Sequence, residues 1–413
     1  MSGPPRLGIG FATGRRSFKK VLLSHLSVWK ESRETLPPEQ TPRLSLFVSY
    51  DLDYQNTRPA DFTNLGPEIT EHFDEIVFMG AKNAARSLGR SALSAEGRKA
   101  VFGPGYAGKR NAVLLSAIEH QMDYLLFLDD DEYPMAVTNA GGFCLCSGQQ
   151  VFLAHLKEIA AADYTNGRHC GYISPIPQID FDAVFGEDDL RRFIEAISND
   201  ILSWESVRDL ARSGGVTYAS AAVLADGDTD EVPWEKGCRF ISGANLCVNL
   251  KDPARTFPFY NPPGARGEDT FLSTLLHERR VVKIPCYTFH DGFSYYPRVL
   301  DGALPIRLRP IRATSPRIVS RFFSACVGWT RYKPLLLYIT ERETFAERTE
   351  AIRAALEETA PKLAARFGDG RFLTIPGEFE KYRRNAAKHC GQFALARNAW
   401  REIVSTAGKT EKG

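Results

Sequence analysis

Four consecutive acids, Asp129, Asp130, Asp131 and Glu132, are the residues of this chain best suited to chemistry, and they directly follow the apolar run 124–128. Adjacent carboxylates repel one another, so such a cluster is stable only in water or around a cation. Carboxylate oxygens suit Mg²⁺ or Mn²⁺, which proteins bind through one or two carboxylates while substrate phosphates supply further ligands. We therefore interpret the cluster as a site for a metal ion and a diphosphate; a solvated acidic turn is the alternative.

The apolar run 124–128 predicts a strand that is buried on both faces of a mostly parallel sheet. Ligands of open α/β sheets bind at the carboxyl ends of the strands, which is where the four acids would lie. Strands and helices alternate along the chain around this run, which predicts an α/β fold. Further strands are predicted at 6–12, 44–50, 75–79, 171–173, 240–249 and 281–290, and helices at 17–29, 109–121, 151–162, 193–210 and 269–278, with a helical pattern from about 297 to the end.

Length and composition limit the possible classes of protein. The 413 residues are enough for one large domain and a smaller one. A net charge of +2 gives no indication of nucleic-acid binding, so we expect no nucleic-acid partner. The eight scattered cysteines include only a lone CxC, Cys144 and Cys146, which favours reduced thiols over a zinc site. The chain has no apolar leader and no run of about eighteen apolar residues, so we expect a cytoplasmic protein without a transmembrane helix.

Three other segments could contact a nucleotide. Thr13 and Gly14 end the first predicted strand, where glycine lets a base or ribose approach the backbone. Asp51 and Asp53 end the second strand and could accept hydrogen bonds from a nucleoside, although acids at a strand end are equally often turn formers. The third segment is a pair of cations, Lys109 and Arg110, at the start of a helix, and the positive end of a helix dipole also favours anions.

A phosphate-binding loop is a competing interpretation of the same region. Residues 103–109 fit the pattern GxxxxGK, and LLFLDD resembles the second motif of P-loop NTPases. However, Arg110 stands where that motif needs a metal-binding Ser or Thr. A P-loop-like NTPase therefore stays an alternative function.

Four motifs, GKRNAVLLSA, LLFLDDDE, GEDTFLSTLL and FHDG, follow one another along the chain. In this order they resemble nucleotide-sugar glycosyltransferases of the GT-A fold, particularly family 2. The resemblance covers residues 6–295 and implies a Rossmann-like mixed sheet flanked by helices. It implies a catalytic domain at 1–296, with a helical insert at about 180–215, and we expect 297–413 to form a mainly helical extension that matches no pattern.

The motifs also suggest roles for single residues. Asp129 and Asp131 would hold the metal or the ribose, and His290 resembles the additional metal or diphosphate ligand of the family. Asp129 and Asp130 would contact the donor. A lone histidine is as often a structural residue. Asp269, or its neighbour Glu268, is the candidate general base, with helix capping as the alternative role. A second GED occurs at 186–188, but only the one at 267–269 precedes an apolar helix and a late histidine.

The expected activity is transfer of a sugar from a nucleotide-sugar donor, most simply a UDP-sugar, to a hydroxyl group with the help of Mn²⁺ or Mg²⁺. The acceptor would be a glycan, a lipid-linked molecule or a small molecule. A base placed for direct displacement implies inversion, but retaining relatives share the acidic cluster and the late histidine. A retaining enzyme and a non-catalytic nucleotide- or carbohydrate-binding module therefore remain alternatives, with the NTPase.

The segment 298–333 has seven arginines and a single acid, Asp301. One interpretation is a basic strip that contacts a diphosphate, a lipid-linked acceptor or anionic lipids, which would place the protein peripherally at the inner face of a membrane. The other is a solvated surface whose cations pair with acids elsewhere in the fold. Within this segment we expect Arg298 and Arg307 to be best placed to bind the donor diphosphate, because arginine donates in a bidentate manner.

Overall fold

The computed structural model describes residues 3–80, 93–198 and 204–407. It is a mixed α/β structure with a nine-stranded sheet and a separate two-stranded hairpin. The strands are β1 (Arg6–Thr13), β2 (Arg43–Tyr50), β3 (Glu75–Met79), β4 (Tyr124–Leu128), β5 (Glu132–Tyr133), β6 (Met135–Ala140), β7 (Phe143–Gly148), β8 (Tyr164–Gly171), β9 (Asp230–Glu231), β10 (Leu246–Asn249) and β11 (Val281–His290).

Helices cover both faces of the sheet and continue to the end of the described chain. They are α1 (Phe18–Arg33), α2 (Ala60–Thr63), α3 (Pro67–Thr70), α4 (Ala95–Phe102), α5 (Tyr106–Glu119), α6 (Val151–Ile159), α7 (Glu187–Ile197), α8 (Trp204–Ser213), α9 (Ala221–Asp226), α10 (Glu268–Ser273), α11 (Pro316–Thr340), α12 (Phe345–Phe367), α13 (Ile375–Arg384) and α14 (Ala386–Ala407). None of the helices in the described ranges is both long enough and apolar enough to cross a bilayer.

The strand order β3-β2-β1-β4-β10-β8-β11-β5 places the predicted central strand in the middle of the sheet, with β9 paired to β11. β1 and β4 are parallel neighbours, and Phe11 pairs with Leu128, so their carboxyl ends lie side by side. β5 then pairs antiparallel with the end of β11, with Glu132 opposite His290. The fold thereby brings the acidic cluster next to the late histidine.

The prediction that β4 is buried on both faces is confirmed, because all five of its residues are buried. Leu126 and Leu128 pack in a cluster on one face that includes residues of α1 and α6. Leu125 and Phe127 pack in a cluster on the other face, which includes residues of α5 and α14. Two apolar layers therefore hold the strand that carries the acids.

Several predicted elements are wrong in their bounds. The strand predicted at 171–173 is the end of β8, which begins at Tyr164; polar residues such as Asn166 are buried in it and concealed the strand pattern. The strand predicted at 240–249 is limited to β10, and the helix predicted at 269–278 ends at Ser273. The unassigned segment after Pro134 forms the hairpin β6–β7. The helical insert consists of α7 and α8, and residues 199–203 of the prediction lie outside the described residues.

A helical pattern was predicted from about residue 297, but the first long helix of this part of the chain, α11, begins only at Pro316. An irregular segment connects β11 to α11, and its backbone bonds to other parts of the fold. The carbonyl of Ile306 accepts from Cys144 N, and that of Ile311 accepts from Gln178 N. The later helices share an apolar cluster with α7 and α8, in which Phe193 and Phe322 are fully buried. The C-terminal helices thus form part of the packing around the sheet.

Candidate active site

Arg110 joins the acidic end of β4 to the start of α10. Its Nη2 donates to Asp129 Oδ1 at 2.8 Å, its Nη1 donates to the carbonyl of Gly243, and its Nε lies 3.5 Å from Glu268 Oε1. The guanidinium is buried and lies over the rings of Phe127 and Phe259, 5.4 and 5.6 Å from their centroids. One cation therefore offsets acids from two distant parts of the sequence.

Asp269 lies beside this cation at the first turn of α10. Its Oδ2 accepts the N–H of Gly243 at 3.2 Å and its Oδ1 accepts the N–H of Thr270 at 2.9 Å, which fixes the carboxylate. The preceding Gly267 has φ 93°, a conformation that glycine adopts without strain. Burial raises the pKa of Asp269, against the effect of Arg110, and burial and Asp269 together raise the pKa of Glu268. Raised carboxyl pKa values suit proton transfer.

Asp130 points away from α10, into contacts with the loop that follows β1. Thr13 Oγ1 donates to its Oδ2 at 2.5 Å and Arg15 Nη1 donates to its Oδ1 at 2.8 Å. Burial raises the pKa of Asp130 to about 7, and Arg15 opposes that rise. The predicted donor ligands Thr13 and Asp130 thus contact each other, and Arg15, which was not predicted, links them to Asp131 through a second ion pair.

Asp131 and His290 face each other, with 3.3 Å between Oδ1 and Nε2. The Nδ1 of His290 donates to the carbonyl of Tyr172, which fixes the ring. Burial would lower the pKa of His290, but Asp131 outweighs it and raises that pKa to about 9. Burial would likewise raise the pKa of Asp131, but His290 and Arg15 hold it well below its usual range. The pair is therefore charged at neutral pH.

The next acid, Glu132, turns to the opposite side of the strand. Its carboxylate lies 3.1 Å from His169 Nδ1 and accepts from Thr288 Oγ1 at 2.7 Å. His169 lies on β8 and Thr288 on β11, where the two residues are paired two positions before His290. This acid is buried and supports the fold of the site from below.

The donor set can be compared with what a divalent cation needs. No group of three or more His, Cys, Asp and Glu side chains within the described ranges is arranged to hold a metal. Asp129 directs an oxygen at Arg110, which leaves Asp131 and His290 as a facing pair. Two protein ligands are sufficient for Mg²⁺ or Mn²⁺ when substrate phosphates and water complete the coordination. Asp131 also pairs with Arg15, so the pair fits such an ion only if His290 loses its proton and Arg15 turns to the phosphates.

A Lys–Asp ion pair and two tyrosines lie near the end of β2. Lys109 Nζ lies 2.8 Å from Asp51 Oδ2, and both belong to the predicted nucleotide ligands. Tyr54 and Tyr106 are exposed, and the ring of Tyr54 lies so close to Gly14 that a Cβ there would be 2.5 Å from the Cβ of Tyr54. Exposed rings near a carboxylate could stack on a base while the acid binds ribose.

The side chain of Asp53 has no part in this arrangement. It is exposed, and the N–H of Asp53 donates to Asp51 Oδ1 at 3.0 Å, as in an Asx turn. The carboxylate that forms this turn is that of Asp51, so the contact of Asp53 with a nucleoside stays a prediction.

The cation nearest to His290 in the C-terminal helices is Arg321, which the sequence did not single out. Its Nη1 donates to the carbonyl of Gly292, and its guanidinium lies 4.2 Å from the ring centroid of Phe293. A Cβ on Gly292 would be 2.7 Å from Arg321 Nη2 and 2.8 Å from His290 Cε1, so both side chains border the same position. Burial and the nearby Arg15 lower the pKa of Arg321. Two arginines therefore converge beside Asp131.

The structure does not bring the two arginines that were expected to bind a diphosphate into this cluster. Arg298 is exposed and pairs with Asp301 at 3.3 Å. Arg307 lies over the ring of Phe143 on the hairpin, 4.9 Å from its centroid. Their place in the segment after β11 was a poor guide, because their guanidinium groups contact Asp301 and Phe143, whereas that of Arg321 on α11 borders His290.

The phosphate-binding-loop alternative loses its structural basis. Residues 103–105 follow α4, a helix, whereas the loop of a P-loop NTPase follows a strand. Lys109 contacts Asp51, and Arg110 is buried against Asp129. The cations of this motif thus hold acids of the sheet edge.

Searches of the chain against protein-family models and against curated proteins give no match.

Proposed function

We propose that this protein is a glycosyltransferase of the GT-A type that moves a sugar from a nucleotide-sugar donor, a UDP-sugar in the simplest case, to a hydroxyl group with inversion. The observation that carries the proposal is the meeting of two acidic groups at Arg110. Asp129 belongs to the strand end where a nucleotide diphosphate would bind, and Asp269 belongs to a helix on the other side of the cation. The groups that bind the leaving diphosphate and the general base would thus lie together at the carboxyl ends of the strands.

The donor would bind across the carboxyl ends of β1, β2 and β4. Tyr54 and Tyr106 offer rings for the base, and Asp51 a carboxylate for the ribose. The diphosphate would lie next to Asp131, within reach of Arg15 and Arg321. Arginine suits this role because its planar fork donates two parallel hydrogen bonds to phosphate oxygens.

Asp131 and His290 would hold Mn²⁺ or Mg²⁺ at the same place. When bound, the cation supplies charge neutralisation for the departing diphosphate. The residues themselves orient the phosphates, and binding would release the proton that His290 shares with Asp131. Removal of divalent cations with a chelator should therefore abolish sugar transfer, and added Mn²⁺ or Mg²⁺ should restore it.

Asp269 would accept the proton of the attacking hydroxyl. Two backbone N–H groups fix its carboxylate, and burial raises its pKa, so it takes a proton more readily than an exposed acid. Attack by a hydroxyl activated in this way displaces the diphosphate directly, which inverts the anomeric carbon. Glu268 is less suited because its carboxylate lies within ion-pair distance of Arg110, 3.5 Å from Nε, whereas backbone N–H groups hold that of Asp269.

The test is the substitution Asp269→Asn, with Asp188→Asn in the other GED sequence as the matched control. Asp188 is exposed and pairs only with Arg191 in the described part of the chain. Turnover of a panel of UDP-, GDP- and dTDP-sugars should be lost in Asp269→Asn and retained in Asp188→Asn. Calorimetry should show that UDP binds both variants as it binds the original protein. Full activity of Asp269→Asn would disprove the assignment of the base.

A non-catalytic nucleotide-binding protein is the second candidate. It is favoured by the cation contacts of the acidic cluster, since Arg110 and Arg15 already offset Asp129 and Asp130. Such a protein would bind UDP in calorimetry but would turn over none of the donors, with or without added acceptor. The donor panel therefore separates the two candidates.

A further inference from the structure

Four large apolar side chains are exposed on two segments that a backbone hydrogen bond joins. Phe143 and Leu145 of β7 are 52% and 60% exposed, and Leu304 and Ile306 of the irregular segment after β11 are 51% and 71% exposed. Cys144 N donates to Ile306 O at 2.8 Å, which joins the hairpin to that segment. Together with the intervening backbone these four side chains form a surface that we call the hairpin patch.

The hairpin patch has a defined inner and outer side. Along β7, Phe143 and Leu145 are exposed, while Cys144 and Cys146, which alternate with them, are partly buried against the apolar core of the sheet. The exposed residues are therefore not a mobile tail but the outer face of a packed strand. Contiguous exposed apolar side chains contribute nothing to the packing of the fold, and in proteins such surfaces commonly mark an interaction site.

The charges of the two segments that form the hairpin patch have one sign, and the nearest acid in the sequence, Asp301, pairs with Arg298. Residues 135–148 and 302–317 contain no Asp or Glu, and the second range contains Arg307, Arg309, Arg312 and Arg317. All four arginines are exposed, and among the described residues none has an acid within ion-pair distance. Elsewhere on the surface, arginines such as Arg192 pair with acids of neighbouring helices, here Glu358 at 2.5 Å.

We propose that the hairpin patch docks this protein on a bilayer that contains anionic phospholipids. Protruding aromatic and aliphatic side chains insert at the boundary of the acyl chains, and arginines next to them contact lipid phosphates. Arg307 combines the two functions, because its guanidinium lies over the ring of Phe143. An acidic protein would also attract the arginines, but it would not need four separate apolar side chains that point outward from a hairpin.

The hairpin patch is linked to the candidate active site through Tyr172. The carbonyl of Tyr172 accepts from His290, and its hydroxyl donates to the carbonyl of Arg309 at 2.8 Å. A docked bilayer would thus lie beside the acidic edge of the sheet. If the proposed function is correct, on which this extension rests, the docked enzyme would use a hydroxyl acceptor anchored in the lipid.

Vesicle co-sedimentation of the full chain tests the docking. Vesicles of phosphatidylcholine with roughly one third phosphatidylglycerol should pellet the protein, and pure phosphatidylcholine should pellet much less of it. The double variants Phe143→Ser/Ile306→Ser and Arg307→Glu/Arg312→Glu should each reduce binding about tenfold or more. Val184→Ser/Leu373→Ser is the matched control, because it removes similarly exposed apolar side chains elsewhere.

A second measurement keeps insertion separate from simple charge attraction. Tryptophan in Leu145→Trp should be quenched by brominated acyl chains, whereas tryptophan in Leu373→Trp should not. Absence of sedimentation, an equal loss in the control variant, or sedimentation without quenching at 145 would each overturn the proposal. So would binding of an acidic protein or nucleic acid in preference to vesicles. None of these readouts needs turnover, so failure here is distinct from failure of the proposed function.

Discussion

Two regions of this molecule concentrate charge, and they handle it in opposite ways. At the end of β4, each of four consecutive acids contacts a basic side chain supplied by another element: Arg110, Arg15, His290 and His169. Around the hairpin patch, four exposed arginines have no acidic partner among the described residues. A charge removed from water is costly unless it is paired, whereas water and salt screen an exposed one.

This difference teaches which charges belong to the fold and which remain for a partner. The charges at the β4 end are held by the protein itself, so changing one disturbs its neighbours as well as any ligand. The arginines of the second region do little for the fold, so their concentration indicates an external anion. Variants that change one region at a time should therefore have different consequences for stability and for binding.

The largest effect is expected for Arg110→Ala. The substitution leaves Asp129 and Glu268 without their shared cation, and breaking a buried pair typically costs about 3–5 kcal/mol of the free energy of unfolding. Urea denaturation followed by circular dichroism would measure it. Arg192→Ala removes an exposed pair and should change stability little. Equal stability of the two variants would contradict the contrast between the regions.

The second effect is on the rate of sugar transfer and its pH dependence. Asp269 must be deprotonated to act as base, so activity should fall as pH decreases through its pKa. Burial raises that pKa, so the acidic limb should lie above the range of an ordinary aspartate. Asp269→Asn should lower kcat by about 10²–10⁴-fold and remove the limb. If the residual activity of this variant still falls at low pH in the same way, the titrating group is not Asp269.

The third effect compares an arginine beside the site with one outside it. Arg321→Gln should weaken UDP binding by about tenfold or more, because a charge-assisted hydrogen bond contributes about 1.5–3 kcal/mol. Arg298→Gln removes a similar charge from the exposed surface and should leave the affinity unchanged. Isothermal titration with UDP measures both. If Arg298→Gln weakens binding more than Arg321→Gln, the expectation from the sequence was correct and the structural assignment is not.

The smallest expected effect is that of salt on stability. Raising the ionic strength from about 0.1 M to about 1 M shortens the screening length from about 10 Å to about 3 Å. This weakens the interactions of exposed charges far more than those of buried ion pairs. Binding to anionic vesicles should therefore fall strongly while the melting temperature changes by a few degrees at most. A large change in melting temperature with constant vesicle binding would reverse the roles given to the two regions.

Local pattern was sufficient to identify the strand and its acids. Tyr124–Leu128 is a short, uninterrupted apolar run, and the acids after it mark the carboxyl end of the strand. The Asp269 segment was likewise recognisable, since its GED sequence precedes apolar residues that are buried in α10. The α/β class followed from the alternation of elements. These features depend on residues close together in the chain.

Contacts between distant residues could not be inferred in the same way. Arg15, Arg321 and His169 are ordinary residues in the sequence, and nothing near them indicates which acid they contact. Arg298 and Arg307 were chosen as bidentate donors in the segment after His290, yet their guanidinium groups contact Asp301 and Phe143, and α11 supplies Arg321 instead. The extent of β8 was missed because its buried polar residues are satisfied by side chains and backbone from other elements, as Asn166 is.

The sequence alone determined that a buried strand would end in four acids, since burial preference and charge are properties of the residues themselves. Only the tertiary structure decided which basic side chain meets which acid, because that depends on strand pairing: β5 and β11 pair so that Asp131 faces His290 while Glu132 contacts His169. It likewise decided that four arginines stay exposed beside apolar side chains, since that required the hairpin and a distant segment to share a backbone hydrogen bond. Desolvation makes the first set of partners obligatory, and water leaves the second set free.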